Sequence, residues 1–140
     1  MNKEELKEIL KELLAENAAG CPVKLAKLPH ISVTEADRLD TGDPAHKVYT
    51  HDLFSLEESP RLGCGVMEME RTTFPWTLSY DEIDFVISGS LTIYCGQTAV
   101  TAGPGEVILI PKGSSILFSV EDKARFLYVT YPADWQNQTH

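Results

Sequence analysis

Tyr80, Glu82 and Asp84 alternate with Asp81, Ile83 and Phe85 along a run that reads as a β-strand. In extended chain this spacing puts the three polar side chains on one face. If that face lines the mouth of a β-barrel, two carboxylates and a phenol converge where burial is costly without partners. Two carboxylates held together push one pKa upward and supply a general acid or base. The same pair suits Mg2+ held through oxygen ligands and water, which phosphoryl transfer requires. Glu82, Asp84 and Tyr80 are therefore the candidate catalytic residues. The bland alternative is a strand start whose carboxylates cap backbone groups. Glu68 and Glu70 are candidates for a third carboxylate, and Lys112, Arg71 or Arg125 for a phosphate partner, although each cation also reads as surface.

Other chemistry is poorly represented. The histidines (His30, His46, His51 and His140) are scattered, and His46 and His51 read as satisfied polar residues of a strand. Cys21, Cys64 and Cys95 lack C-x-x-C spacing and read as reduced, buried thiols. No G-x-x-x-x-G-K-[ST] phosphate loop is present. Gly103-Pro104-Gly105 precedes a strand, so it offers turn geometry and not a helix N-terminus for phosphate.

Short strands must position the candidate site. Residues 83–88 and 91–95 flank Ser88-Gly89-Ser90, which predicts a tight hairpin. Turns follow at residues 95–98 and 102–105, and a buried strand over 106–110 stops at Pro111. Upstream, weak strand signal covers 31–34, and clearer strands cover 46–54 and 62–71. Phe74-Pro75-Trp76 reads as a bend, residues 120–123 as a charged turn, and 124–131 as the last strand. Strands this short, with turns about every ten residues, predict an all-β, closed antiparallel barrel or sandwich. Trp76, Phe118 and Tyr128 read as core or dimer interface.

Ahead of the β-region, residues 2–16 form a predicted amphipathic helix. Leu6, Ile9, Leu10, Leu13 and Leu14 recur on one side, with Lys and Glu on the other. Asn2 and Glu5 suggest a capping box, and Gly20 and Pro22 a stop. So short a helix is marginal alone and needs a surface for its leucines. That surface is either its own barrel or a dimer partner, or else another protein for which the stripe is a docking face. The expected organisation is a helix over 1–17, a linker over 18–30 and a β-barrel over 31–140.

The charge narrows the partners. Twenty-one acidic against 12 basic residues give −9, so no basic footprint for nucleic acid is present. No apolar run approaches a membrane span, and the Lys/Glu-rich N-terminus is unlike a signal peptide. The expectation is a soluble cytoplasmic protein.

The motifs carry a resemblance. Gly105-x5-Pro111-x-Gly113 resembles the second signature of the cupin barrels, and Glu82-x6-Gly89 the end of the first. The resemblance implies a double-stranded β-helix, or jelly roll, with an N-terminal helix added. In cupins two histidines before the glutamate and one after the Pro-x-Gly hold a divalent metal. Those positions fall here on Trp76, Leu78 and Ile116, leaving Glu82 as the one surviving metal ligand. A single carboxylate cannot hold a transition metal.

The blocks W-T-L-S-Y-D-E-I-D-F-V-I-S-G-S-L, P-K-G-S-S-I and Y-P-A-D-W resemble more narrowly the ethanolamine-utilisation cupins of the EutQ family, over roughly residues 48–135. That resemblance implies association with the ethanolamine-degrading bacterial microcompartment and a homodimer. It also implies either ATP-dependent acetate kinase chemistry with Mg2+ and ATP, or a non-catalytic role binding shell or cargo proteins. It gives the leucine stripe a docking role as well. Clustered inward carboxylates would favour the enzyme, and a barrel plugged by Trp76, Leu78, Ile116 and Phe118 the binding module.

Overall fold

A computed structural model describes residues 2–137, with the backbone alone for residues 15–20; His140 lies outside the described residues. The chain divides into two units, Met1–His30 and Ile31–His140.

In the first unit, α1 spans Lys3–Gly20. Asn2 caps it: its side-chain oxygen accepts the Glu5 N–H at 2.7 Å, and its amide reaches Glu5 Oε1 at 3.3 Å. The acidic first turn complements the helix dipole. Leu6, Ile9, Leu10, Leu13 and Leu14 are all exposed. The helix continues through residues 18–20, so the small residues expected in a linker form its last turn. Among the described residues no helix is long and apolar enough to cross a membrane.

In the second unit the weak strand signal at residues 31–34 gives way to a 3₁₀ turn, Glu35–Asp37. The reason is local: the Thr34 N–H donates to Asp37 Oδ2 at 2.8 Å, an alternative to a sheet ladder. Seven strands follow: β1 (Lys47–Asp52), β2 (Gly63–Thr77), β3 (Asp81–Ser88), β4 (Leu91–Cys95), β5 (Thr98–Ala102), β6 (Val107–Ile110) and β7 (Ser115–Tyr131). All pairings are antiparallel. The long strands β2 and β7 serve two sheets. Their outer halves, with β1, β3 and β6, form the order β1-β2-β7-β3-β6, while β7 also pairs β4, which pairs β5. The hydrogen-bonded ladder is not closed into a ring, so the sheets enclose the core as a jelly roll by packing.

Three local expectations are corrected. β3 and β4 do not pair as a hairpin, because β3 joins β6 and β7 while β4 joins β5 and β7. Gly89 instead carries the chain from one sheet to the other with φ +79, and a Cβ there would lie 2.0 Å from the Lys123 carbonyl oxygen. Phe74-Pro75-Trp76 is not a bend but part of β2, in register with Phe118, Leu117 and Ile116. There β2 pairs only β7, so Pro75 sits on an edge where its missing N–H leaves no ladder bond unmade. Residues 120–123 are not a turn but lie within β7, opposite a register shift between Glu70 and Thr72. Arg71 (φ +42) takes up the bulge that bends both long strands. By contrast, residues 95–98 make the expected hairpin turn between β4 and β5, with Gly96 at φ +61.

Gly89→Ala should lower unfolding free energy by roughly 3 kcal/mol, since it adds left-handed strain to a backbone clash. Urea denaturation of the variant measures this directly. A loss below about 0.5 kcal/mol, the range of neutral surface changes, would contradict the close crossing.

The core lies between the sheets. β6, expected to be wholly buried, alternates instead: Ile108 and Ile110 face in, Val107 and Leu109 out. The cysteines also differ from expectation. Cys21 and Cys95 are exposed and Cys64 is half-buried.

Candidate functional site: a buried carboxylate pocket

β3 sets the site by its period of two. Glu82 and Asp84 point inward and are buried, as is Tyr80 just before the strand, while Ile83 and Phe85 point out. Strand register then chooses the neighbours. Glu82 lies between Ile110 of β6 and Thr130 of β7, and Asp84 between Ile108 and Tyr128. These surroundings supply little solvation for a carboxylate. Glu82 Oε2 and both Asp84 oxygens are buried with no hydrogen-bond partner outside the pair, and the two carboxyls can bond each other only by holding a proton. Native interiors rarely leave such atoms unpaired, so a cluster of three is a signal of function.

Burial raises both acids. Glu82 is pushed up to about 7, mainly by desolvation, with Asp84 moderating the shift. Asp84 stands well above the ordinary carboxylate range, first by desolvation and then by the charge of Glu82. The pair therefore holds at least one proton at neutral pH and behaves as a coupled unit. Burial likewise raises the Tyr80 phenol, with Glu82 adding to it.

In front of Glu82 is a cavity of about 10 Å³, room for about one water. Its walls are mostly aromatic: Phe74, Trp76, Tyr80, Phe118, Tyr128 and Trp135, with Leu39, Thr50 and Met67 completing them. Phe74 and Phe118 stack at 5.3 Å between ring centroids. Trp135 meets Trp76, Tyr80 and Tyr128 at 6.4, 6.0 and 5.7 Å. Polar tips are tied down: Trp76 Nε1–H donates to Tyr80 Oη at 2.7 Å, and Tyr128 Oη–H to Asp52 Oδ1 at 2.5 Å. Trp135 Nε1 is the exception, buried with no partner.

Leu39, Thr50 and Trp76 also line a second, open cavity of about 380 Å³, together with Asp37, Arg38 and Asp40. Through these three shared residues it adjoins the inner pocket and is called the vestibule. Arg38 is fixed in its wall by bonds to the His46 carbonyl at 2.7 Å, Glu35 Oε2 at 3.0 Å and Tyr49 Oη at 3.0 Å. His51 Nδ1 lies 3.0 Å from Asp37 Oδ1.

The remaining candidates stand elsewhere. Glu68 faces out and binds Arg125 at 2.6 Å, and Glu70 binds Arg71 at 2.6 Å. Lys112 is exposed, and its backbone N–H donates to Asp81 Oδ1 at 2.8 Å. Asp81 thus performs the backbone-capping task considered for this stretch, and Glu82 does not. His46 bonds Thr41 and Asp43.

Leu78 and Ile116 are buried in the core and Trp76 half-buried, so apolar groups fill the positions of the usual cupin ligands. Among the described residues no three His, Cys, Asp or Glu side chains are grouped for a metal. A transition metal does not fit this donor set. Nor does a resident Mg2+, which keeps several waters, whereas the inner cavity admits about one.

Comparison with known proteins identifies the family. The sequence profile described as "Ethanolamine utilisation protein EutQ" matches residues 2–137. The chain belongs to the EutQ family. It is 66% identical over 112 residues to "Acetate kinase EutQ" of Clostridioides difficile (strain 630), covering 80% of this chain and 71% of that one. It is 45% identical over 101 residues to "Acetate kinase EutQ" of Escherichia coli (strain K12), covering 71% of this chain but only 42% of that relative's length. Among solved structures, the Clostridium difficile EutQ protein superposes with a TM-score of 0.82 at 63% identity, over 84% of this chain and 86% of that one. The Schizosaccharomyces pombe Cnp3 cupin domain, 15% identical, superposes at 0.59 over 81% of this chain and 72% of that one, which bears on the fold alone. The chain thus combines a cupin-type fold with membership of the EutQ family of ethanolamine-utilisation proteins.

Sequence reasoning found the β3 acids but missed Trp135, which it left in a polar tail. The signal was present in Y-P-A-D-W, where a large aromatic follows a strand by four residues. Leu39 and Thr50 carried no comparable signal.

Proposed function

We propose that this chain phosphorylates acetate with ATP inside an ethanolamine-degrading microcompartment of the cytoplasm. The observation that carries the reading is the small aromatic cavity with Glu82 in its wall, adjoining the larger cavity lined by Arg38. The inner cavity has room for about one water, so the acid binds at its mouth, beside Leu39, Thr50 and Trp76, which line the larger cavity as well. The vestibule has room for the phosphate end of a nucleotide, which brings its own Mg2+. A carboxylate oxygen of acetate attacks the γ-phosphorus, the bond from that phosphorus to the β–γ bridging oxygen breaks, and ADP leaves with acetyl phosphate as product. Glu82, with Asp84 behind it and Tyr80 beside it, keeps the charge around the acid low and orients it. The names of the relatives support the same activity for this chain.

A second reading has its own observation. Leu78, Ile116 and Phe118 fill the barrel interior, as in a non-catalytic module. In that reading the cupin dimerises and binds shell or cargo proteins. Exposed Ile83, Phe85, Val107 and Leu109 on the outer face of β3 and β6 support a homodimer in either case. The leucine stripe of α1 supports docking to a shell or cargo partner.

Trapping acetyl phosphate as its hydroxamate separates the two. Purified protein with acetate, ATP and Mg2+ is expected to form it. No product above the protein-free control would remove the kinase reading and leave the assembly module.

A further inference from the structure

We propose that the Thr50 hydroxyl binds and orients the carboxylate of the small acid at the mouth of the inner pocket. The substrate class rests on the proposed function; the place rests on Thr50 itself. Thr50 lines both the inner cavity and the vestibule, so it stands where the two adjoin. It is only 9% exposed, and its hydroxyl makes no hydrogen bond. The side-chain atoms sealed in without partners belong, among the described residues, to Ser79, Glu82, Asp84 and Trp135. The Thr50 hydroxyl is not one of them, so it reaches space that a ligand can enter.

The fold does not need this hydroxyl. Thr50 takes an inward position of β1, two residues after buried Val48, and threonine and valine share a β-branched shape. Valine would fill the position without burying an unbonded hydroxyl, which costs stability. The other polar groups of the vestibule wall are committed. Arg38 spends all five of its N–H groups on Glu35, Tyr49 and the Pro44 and His46 carbonyls. Asp37 takes the Thr34 N–H and faces the His51 ring, and Asp40 takes the Gly42 N–H. Neither carboxylate can donate to an acid, and their charges oppose a free anion, so a specific donor is needed to hold one. Gln136 is exposed and already solvated. Thr50 is the donor that remains. Beside it, Leu39 and Trp76 offer apolar surface to a short alkyl group. One oxygen of the acid accepts from Thr50, which leaves the other free to attack phosphorus.

A hydrogen bond of this kind holds the acid equally in the bound complex and during transfer. Its loss should therefore raise KM for the acid and spare kcat. A hydroxyl bonded to a charged acceptor supports an effect of about tenfold. Thr50 is separated in this way from Glu82, whose replacement falls on kcat.

The test compares Thr50→Val, which keeps the shape and removes the hydroxyl, with Thr50→Ser, which keeps the hydroxyl. In the hydroxamate assay on the full chain, Thr50→Val should raise the acetate KM about tenfold, with kcat and the KM for ATP within about twofold of wild type. Thr50→Ser should restore the acetate KM. Thr50→Val should melt at the wild-type temperature or above it, since the unbonded hydroxyl is gone. The 13C-methyl resonance of Thr50 gives a readout in wild-type protein, expected to shift on adding sodium acetate without nucleotide. Three results each overturn the proposal: an unchanged acetate KM in Thr50→Val, an equal loss in Thr50→Ser, or an unmoved Thr50 methyl resonance at saturating acetate. Acetate that shifts this resonance and binds about tenfold more weakly to Thr50→Val, with no acetyl phosphate formed by wild type, upholds the site and removes only the kinase reading. Transfer whose acetate KM ignores Thr50 overturns the site and keeps the activity.

Discussion

Glu82→Gln should reduce acetyl phosphate formation by about a hundredfold, the scale on which misplacing a bound reactant slows its reaction. The substitution conserves shape, so the pocket keeps its volume. It removes the proton that Glu82 gains and loses near neutrality and replaces it with an amide whose donors are fixed. The loss should fall mainly on kcat when acetate still binds, because an amide in place of the carboxyl changes the contact with Asp84 and so the orientation of the group that positions the acid. Asp84→Asn should weaken the reaction less, because Asp84 does not line the cavity. Steady-state rates from the hydroxamate assay check both. Wild-type activity in Glu82→Gln would move the chemistry out of the barrel.

The second large effect is on stability. Glu82 is raised from its ordinary 4.5 to about 7 in the folded protein. Between those values the folded state binds more protons than the unfolded chain, so unfolding free energy falls as pH rises. The penalty is absent below the unfolded value and complete above the folded one. A shift of this size corresponds to roughly 3 kcal/mol lost between about pH 4.5 and pH 8. Asp84, raised in the same direction, adds to the slope. Glu82→Gln should therefore be more stable than wild type at about pH 8 and lose much of the slope. Urea denaturation across that range measures it. Stability that is flat or rises with pH would contradict the buried pair. A protein that retains a stability penalty in one small pocket is consistent with selection for that pocket's chemistry.

Much of this was legible in the chain, for identifiable reasons. Alternation in Tyr80-x-Glu82-x-Asp84 fixed which residues share a face, because the strand period is two whatever its partners. Short turns such as Cys95-Gly96-Gln97-Thr98 were legible because Gly96 supplies the positive φ locally. What failed depended on distant partners. Ser88-Gly89-Ser90 looks like a hairpin turn, yet Gly89 is required by the close approach of the Lys123 carbonyl, a contact 34 residues away in the sequence. Pro75 argues against a strand unless the strand is known to be an edge, which the end of β1 opposite Glu70 decides. Residues 120–123 look like a turn because their charges face solvent on a bent strand whose bend originates at Arg71. Trp135 was missed because its burial depends on a cavity formed by β2, β3 and β7. Local chemistry was readable, and long-range packing was not.

The pair itself can be observed directly. Carbon-13 NMR of labelled Glu and Asp carboxyls, followed across pH with and without acetate, reports each proton in the pocket. The account predicts that Glu82 titrates near 7, that Asp84 stays protonated well above the ordinary range, and that saturating acetate moves the Glu82 titration upward. Titration of both groups between about 3.5 and 4.5, unchanged by acetate, would mean solvated surface carboxylates and no site inside the barrel.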